Sequence, residues 1–101
     1  MATAIYARVS TETQAEQGFS IAAQLEACRQ KAGNTPVIEY IDRGVSGSYL
    51  ERPGLTKLRE DLKAGIIDRV IIYDPDRLAR DLHLQLLLTD EIDKHAELVF
   101  V

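Results

Sequence analysis

Tyr6-Ala7-Arg8-Val9-Ser10 sets a serine hydroxyl and a guanidinium two residues apart at the end of a short apolar run. Far downstream, Asp76-Arg77-Leu78-Ala79-Arg80-Asp81 sets two more arginines three residues apart, where a helix should begin. A hydroxyl nucleophile ringed by guanidinium groups suits attack on a phosphodiester. The arginine fork matches two phosphate oxygens and stays protonated. Taken alone, Ser10 reads as a turn residue after a strand, and Arg77 and Arg80 read as a solvated face paired with Asp76 and Asp81. Together they read differently. Period-two geometry puts Arg8 on the same strand face as Ser10. The i, i+3 spacing lets Arg77 and Arg80 converge on one anion, and a first helical turn adds unpaired N–H groups and a favourable dipole.

The elements that must position these groups alternate regularly. Ala4 to Val9 reads as a first strand. Ser20 is placed to cap a helix from Ile21 to Ala32, closed by Gly33. Pro36 to Ile41 reads as a second strand, and Asp42 to Ser48 as a loop. Pro53 opens a second helix that runs to about Ala64 and stops at Gly65. Arg69 to Tyr73 is a third strand, nearly all apolar, as befits burial on both faces. Pro75 ends it, and Asp76 is placed to cap a third helix reaching about Lys94. Glu97 to Val101 is a fourth strand. This alternation predicts an α/β fold: a three-layer, Rossmann-like sandwich with a mainly parallel four-stranded sheet, helices on both faces and right-handed crossovers. Ligands of such sheets bind beyond the carboxyl ends of the strands. Ser10, Asp42 and Asp76 all follow strands on this reading, which brings them to one edge.

The bulk numbers exclude several classes. With 101 residues, the chain is one small domain, and 46% hydrophobic with 28% charged residues predicts a folded one. The single cysteine, Cys28, excludes an internal disulfide, and it lies on the apolar helical stripe of Ile21, Leu25 and Ala32. A reducing, cytoplasmic setting follows from that usage. No apolar run approaches the roughly 18 residues of a membrane span. The net charge of −4 and pI of about 5.1 argue against a domain that grips DNA by bulk electrostatics. Yet eight of the twelve basic residues are arginine. Arg8, Arg52, Arg77 and Arg80 fall at predicted element ends, while acids such as Asp90, Glu91 and Asp93 mark helix surfaces. A cationic pocket on an acidic body fits this distribution. No P-loop motif is present, and Gly44-x-x-Gly47 is too short for a dinucleotide fingerprint. Asp42 and Asp76 invite a magnesium reading, but the arginines already bring the positive charge a metal would supply. His83 and His95 have no partner at ligand spacing, and Ser46 reads as a turn residue.

Five blocks in order resemble the catalytic domain of the serine site-specific recombinases: Tyr6-Ala7-Arg8-Val9-Ser10-Thr11, Ser20-Ile21-Ala22-Ala23-Gln24-Leu25, Asp42-Arg43-Gly44-Val45-Ser46-Gly47, Arg52-Pro53-Gly54-Leu55 and Asp76-Arg77-Leu78-Ala79-Arg80-Asp81. They span nearly the whole chain. The stretch from Thr11 to Ser20, with Glu16-Gln17-Gly18-Phe19, looks more like the large integrase and transposase branch than the short resolvases. The resemblance implies a resolvase-type catalytic domain over residues 1–101 that acts in DNA recombination. Ser10 would attack a DNA phosphate to form a 5′-phosphoserine link and a free 3′ hydroxyl. Arg8, Arg77 and Arg80 would bind the phosphate, Arg52 would be a further active-site arginine, and Gln24, Asp42 and Asp76 would orient the set. It implies no cofactor and no metal, because the covalent link conserves the cleaved bond's energy.

Two further expectations concern what lies outside the site. The chain stops inside an apolar strand, which suggests the front of a longer, C-terminally truncated protein whose DNA-binding region is absent. The third helix carries Leu78, Leu82, Leu84, Leu86, Leu87, Leu88 and Ile92 around most of its circumference, although a helix on a sheet needs one stripe. That surplus suggests a second covered surface. The resemblance implies a homodimer that pairs into a synaptic tetramer on double-stranded DNA. A non-catalytic regulatory or dimerisation module on the same fold is the competing reading. A phosphate-ester hydrolase would need a water-activating group that the sequence does not offer.

Overall fold

A computed structural model describes residues 1–9, 20–44 and 52–101. The elements are β1 (Ala2–Val9), α1 (Ile21–Ala32), β2 (Val37–Arg43), α2 (Pro53–Lys63), β3 (Ile67–Ile72), α3 (Pro75–Leu78), α4 (Leu82–Asp93) and β4 (Glu97–Phe100). The four strands form one parallel sheet in the order β2-β1-β3-β4.

The two faces of β1 sort the helices. Ala4 and Tyr6 pack with Leu55, Leu58 and Leu62 of α2, Leu78 of α3, and Leu88 and Ile92 of α4. Ile5 packs with Cys28 and Ala32 of α1, and Ala7 and Val9 pack with Ile21. So, among the described residues, α1 covers one face and the other helices cover the second. The chain moves one way across the sheet from β1 to β2, then the other way through β3 to β4. A fixed crossover hand then places α1 opposite α2 and α4. The reversal lies between β1 and β3, and a sheet of this type opens its ligand crevice at the carboxyl ends flanking such a switch point.

Local signals set α1 with both predicted ends. The Ser20 hydroxyl accepts from the Ala23 N–H, and Gly33 closes the helix at φ 71°. Several predicted boundaries shift by a residue or two, as in β1, which starts at Ala2, and β3, which spans Ile67–Ile72; two differences bear on the site. β2 runs on to Arg43, so Asp42 lies inside a strand. The helix expected from Asp76 to Lys94 is two helices, α3 and α4, separated by an extended Ala79. Asp76 does not cap it: Asp74 caps α3 and Asp81 caps α4. The surplus leucines of α4 divide accordingly. Leu88 and Ile92 are buried, whereas Leu82, Leu86 and Leu87 are exposed. Among the described residues, no helix is long and apolar enough to cross a membrane.

Candidate active site

At the switch point, three guanidinium groups enter the protein interior: Arg8, Arg52 and Arg77 are 0%, 0% and 5% exposed. Withdrawing such an ion from water costs on the order of several kcal/mol unless hydrogen bonds replace the lost hydration. The replacements are mostly backbone carbonyls. Arg8 Nε donates to the Arg77 carbonyl at 3.0 Å, and Arg8 Nη2 donates to the Asp76 carbonyl at 2.7 Å. Arg52 Nη2 donates to the Leu78 carbonyl at 2.5 Å.

These three carbonyls explain the broken helix. In a continuing α-helix, the N–H groups of residues 80, 81 and 82 would bond to the carbonyls of residues 76, 77 and 78. Arg8 and Arg52 occupy those acceptors instead. Gln85 Nε2 takes the next carbonyl, that of Ala79, at 2.6 Å. The short helix α3 thus ends on side chains that arrive from β1, from the start of α2 and from α4.

Each side chain is held by local structure. β1 outruns its pairing with β3, which ends at Tyr6 and Ile72. The Gln24 amide from α1 fills the freed edge: its Oε1 accepts from the Arg8 N–H and its Nε2 donates to the Arg8 carbonyl, each at 3.1 Å. Arg77 Nη1 reaches that same carbonyl at 3.3 Å. Asp74 caps α3 and also meets Arg77 Nε at 3.4 Å. Asp42, from β2, performs the capping of α2 that its N-cap Arg52 cannot. Its Oδ1 accepts from Gly54 N at 2.8 Å and its Oδ2 from Leu55 N at 3.1 Å. Pro53 has no N–H to satisfy, and Thr56 N bonds to the Arg52 carbonyl. The fit is tight enough that position 54 must be glycine, since a Cβ there would sit 2.8 Å from the Ile41 carbonyl oxygen.

The predicted site residues therefore gather, with differences. Arg8, Gln24, Arg77 and Asp76 form one contiguous group, and Asp42 and Arg52 form a second that joins it at α3. Asp76 is the shared counter-ion: its carboxylate lies 3.2 Å from Arg77 Nη2, 3.7 Å from Arg80 Nε and 3.8 Å from Arg8 Nη2. Arg77 and Arg80 do converge, but not from one helical turn, because Arg80 follows α3. Its side chain is 49% exposed, which leaves it on the solvent side of the group. Asp42 spends both carboxylate oxygens on N–H and O–H donors, which makes it the cap of α2. Ser10 and Ser46 lie outside the described residues. Burial pushes the Arg8 guanidinium below its ordinary value, and the neighbouring Arg52 charge pushes it the same way.

Two participants escaped the sequence reading. Tyr6 is fully buried, and its hydroxyl donates to Asp42 Oδ2 at 2.7 Å and accepts from Arg52 Nη1 at 3.3 Å. Period two from Arg8 puts it on the site's face, which was the available signal. Asp74 was legible as well, since an aspartate followed by proline marks an N-cap and first helical residue.

The fold and this cluster define a class first: a parallel α/β domain with arginines buried at the sheet's switch point. The family model described as "Resolvase, N terminal domain" matches residues 3–101. The chain belongs to that family. A "Putative DNA recombinase" of Bacillus subtilis (strain 168) is 56% identical over 99 residues, covering 97% of this chain and 20% of that protein. A "Resolvase/recombinase" of Pseudomonas putida is 38% identical over 88 residues, covering 87% of this chain and 44% of that one. The chain thus spans a fifth of the first of these relatives and under half of the second. Among solved structures, the N-terminal catalytic domain of TP901-1 integrase superposes with a TM-score of 0.85 at 38% identity, over 97% of this chain and 76% of that one. The C-terminal catalytic domain of ISC1926 TnpA, an IS607-like serine recombinase, gives a TM-score of 0.82 at 27% identity, over 100% of this chain and 70% of that one.

Proposed function

We propose that this chain is the catalytic domain of an enzyme that cuts and rejoins DNA at specific sites, with Ser10 as nucleophile. The observation that carries the reading is the buried guanidinium group of Arg8, Arg52 and Arg77, at the carboxyl ends of the two strands that flank the switch point. Ser10 follows the last residue of β1 in sequence. Its Oγ gives up its proton and attacks the phosphorus, the bond to the 3′ oxygen breaks, and that oxygen takes up a proton and leaves as a 3′ hydroxyl, so that one proton passes in net from the serine to the 3′ oxygen. The DNA 5′ end remains on the serine as a phosphodiester. Attack by a 3′ hydroxyl of a partner end reverses the step, restores the serine hydroxyl and needs no external energy source. Arg77 and the half-exposed Arg80 bind the phosphate, Arg8 and Arg52 hold α3 and add positive charge, and Gln24, Asp42 and Asp76 orient them. Fixed positive charge in a water-poor site stabilises the dianionic transition state. The working assembly is a homodimer pairing into a tetramer on double-stranded DNA in the cytoplasm, and its DNA grip lies mainly outside residues 1–101.

The test is covalent capture. Full-length protein is expressed in bacterial cells and purified under denaturing conditions, and any attached DNA is sequenced. Protein bearing DNA at one recurrent sequence, with attachment abolished in Ser10→Ala, is the expected result. Attachment that persists in Ser10→Ala sinks the nucleophile assignment. Tight DNA binding with no covalent product would favour the regulatory-module reading, in which Arg8 and Arg52 serve only to shape α3.

A further inference from the structure

We propose that Gln85 of α4 is a positioning residue of the site, which aims Arg80 by gripping the carbonyls on either side of it. The proposal deepens the recombination reading and rests on it. Arg80 is the half-exposed guanidinium of the group, and it lies in the break between α3 and α4. The Gln85 side-chain amide donates to the Ala79 carbonyl at 2.6 Å, and the Gln85 backbone N–H donates to the Asp81 carbonyl at 2.9 Å. One residue near the start of α4 thus spans Arg80 from both sides.

The backbone bond is the ordinary first bond of a helix. The side-chain bond is not. Ala79 is fully buried and extended, at φ −160° and ψ 145°, so its carbonyl lies off the helical ladder. Its N–H is already spent on the Pro75 carbonyl. A buried carbonyl without a donor is costly, and Gln85 supplies the donor from six residues on. The Ala79 carbonyl and the Arg80 N–H share one rigid peptide plane. That plane turns about ψ of Ala79 and φ of Arg80. Fixing the carbonyl therefore fixes the direction in which the Arg80 side chain leaves the backbone. Arg77 is fixed in another way, from its own head, by Nη1 on the Arg8 carbonyl and Nε beside Asp74. The solvent-side arginine is aimed through its backbone.

The experiment uses the full-length protein and a duplex oligonucleotide carrying the sequence captured on Ser10. Adduct formation is timed at saturating duplex, with duplex affinity and thermal unfolding measured in parallel. Gln85→Met keeps length and helix propensity and removes the donor. It is expected to slow adduct formation about fivefold to fiftyfold, with affinity changed less than about threefold. In an Arg80→Ala background it should cause no further slowing, since the group it aims is gone. Tyr40→Phe is the control. It also removes one hydrogen bond, that to Asp61 at 2.7 Å, and should react within about twofold of the unaltered protein. With isotope-labelled arginine, the Arg80 amide resonance should move in Gln85→Met and stay in place in Tyr40→Phe. An unaltered rate or an unmoved Arg80 resonance in Gln85→Met overturns the proposal. So does equal slowing in Tyr40→Phe, undiminished slowing without Arg80, or a Gln85→Met protein that does not fold. If Arg80→Ala forms too little adduct to time, the Arg80 resonance decides. Absence of any adduct from the unaltered protein instead removes the recombination reading, and the role of Gln85 falls with it.

Discussion

Two tyrosine–aspartate pairs lie side by side in this domain and differ in what stands behind them. Tyr6 on β1 and Tyr40 on β2 are register partners facing the same helical layer. Each donates to a carboxylate oxygen at 2.7 Å, and burial raises both phenols, so each remains a donor at neutral pH. Behind Asp61 stands Lys57, one helical turn back at 3.3 Å, with a side chain 64% exposed. Behind Asp42 and Tyr6 stands Arg52, fully buried, with an Nε that has no hydrogen-bond partner among the described residues. The Tyr40 pair is itself buried but is backed by an exposed ammonium, whose charge carries little electrostatic weight. The Tyr6 pair is anchored in a second buried charge, which a fold would not keep for stability alone. What marks the site is therefore not the hydrogen bond, which occurs twice, but the desolvated cation beyond it.

The largest effect expected from that difference is in stability. Asp42→Ala removes the cap on two N–H groups of α2 and the acceptor of the Tyr6 hydroxyl. We expect a loss of about 2–4 kcal/mol from the orphaned donors and the uncompensated arginine. Asp61→Ala removes one buried acceptor and a water-exposed ion pair, and should cost roughly 1 kcal/mol. Urea unfolding of the two variants measures the gap, and equal losses would dissolve the comparison.

A smaller effect sharpens it from the side of β1. At its amino end this strand is held by backbone groups, with Ala2 N on the Ile66 carbonyl and Thr3 N on the Pro36 carbonyl. At its site end the Gln24 amide replaces a strand. Gln24→Leu keeps the volume but leaves the buried Arg8 N–H unpaired, and should cost about 1–3 kcal/mol. Amide exchange should quicken at Arg8 and not at Thr3. Unchanged protection at Arg8 would show that β1 does not need the amide.

These residues also show what was legible in the sequence. α1 was read with both ends because its caps, Ser20 and Gly33, are its own chain neighbours. The parallel sheet with helices on both faces followed from strand–helix alternation, which is general, whereas the strand order, and with it the switch point, was not read from the sequence. The break between α3 and α4 was not legible. Arg8 and Arg52 make it by taking the carbonyls of residues 76, 77 and 78 from 26 to 69 positions away. The capping of α2 from β2 by Asp42 was hidden for the same reason. Gln24 was named only through the family resemblance, and the end of the β1–β3 pairing is what reveals the backbone edge it fills. Side-chain chemistry within one turn of a residue is written locally, whereas a buried charge is placed by partners the sequence does not set beside it.

The smallest effect concerns acid. The Tyr40 hydroxyl, and then Lys57, hold the Asp61 carboxyl below its ordinary value of 3.8. A carboxyl depressed in the folded state contributes stability that is complete above its unfolded value and is lost as pH falls through the folded one. The contribution of Asp61 is therefore intact at neutral pH and disappears below about pH 4. Glu91 behaves likewise, since its bidentate partner Arg59 holds it below the ordinary 4.5. Asp61→Asn keeps an acceptor for the Tyr40 hydroxyl and removes the titration. Its unfolding midpoint should therefore fall less steeply than that of the unaltered protein between about pH 5 and pH 2.5, while Glu91 continues to titrate in both. Superimposable acid limbs would mean that the Tyr40 pair contributes nothing through its charge, leaving the bare hydrogen bond as all that the two tyrosines share.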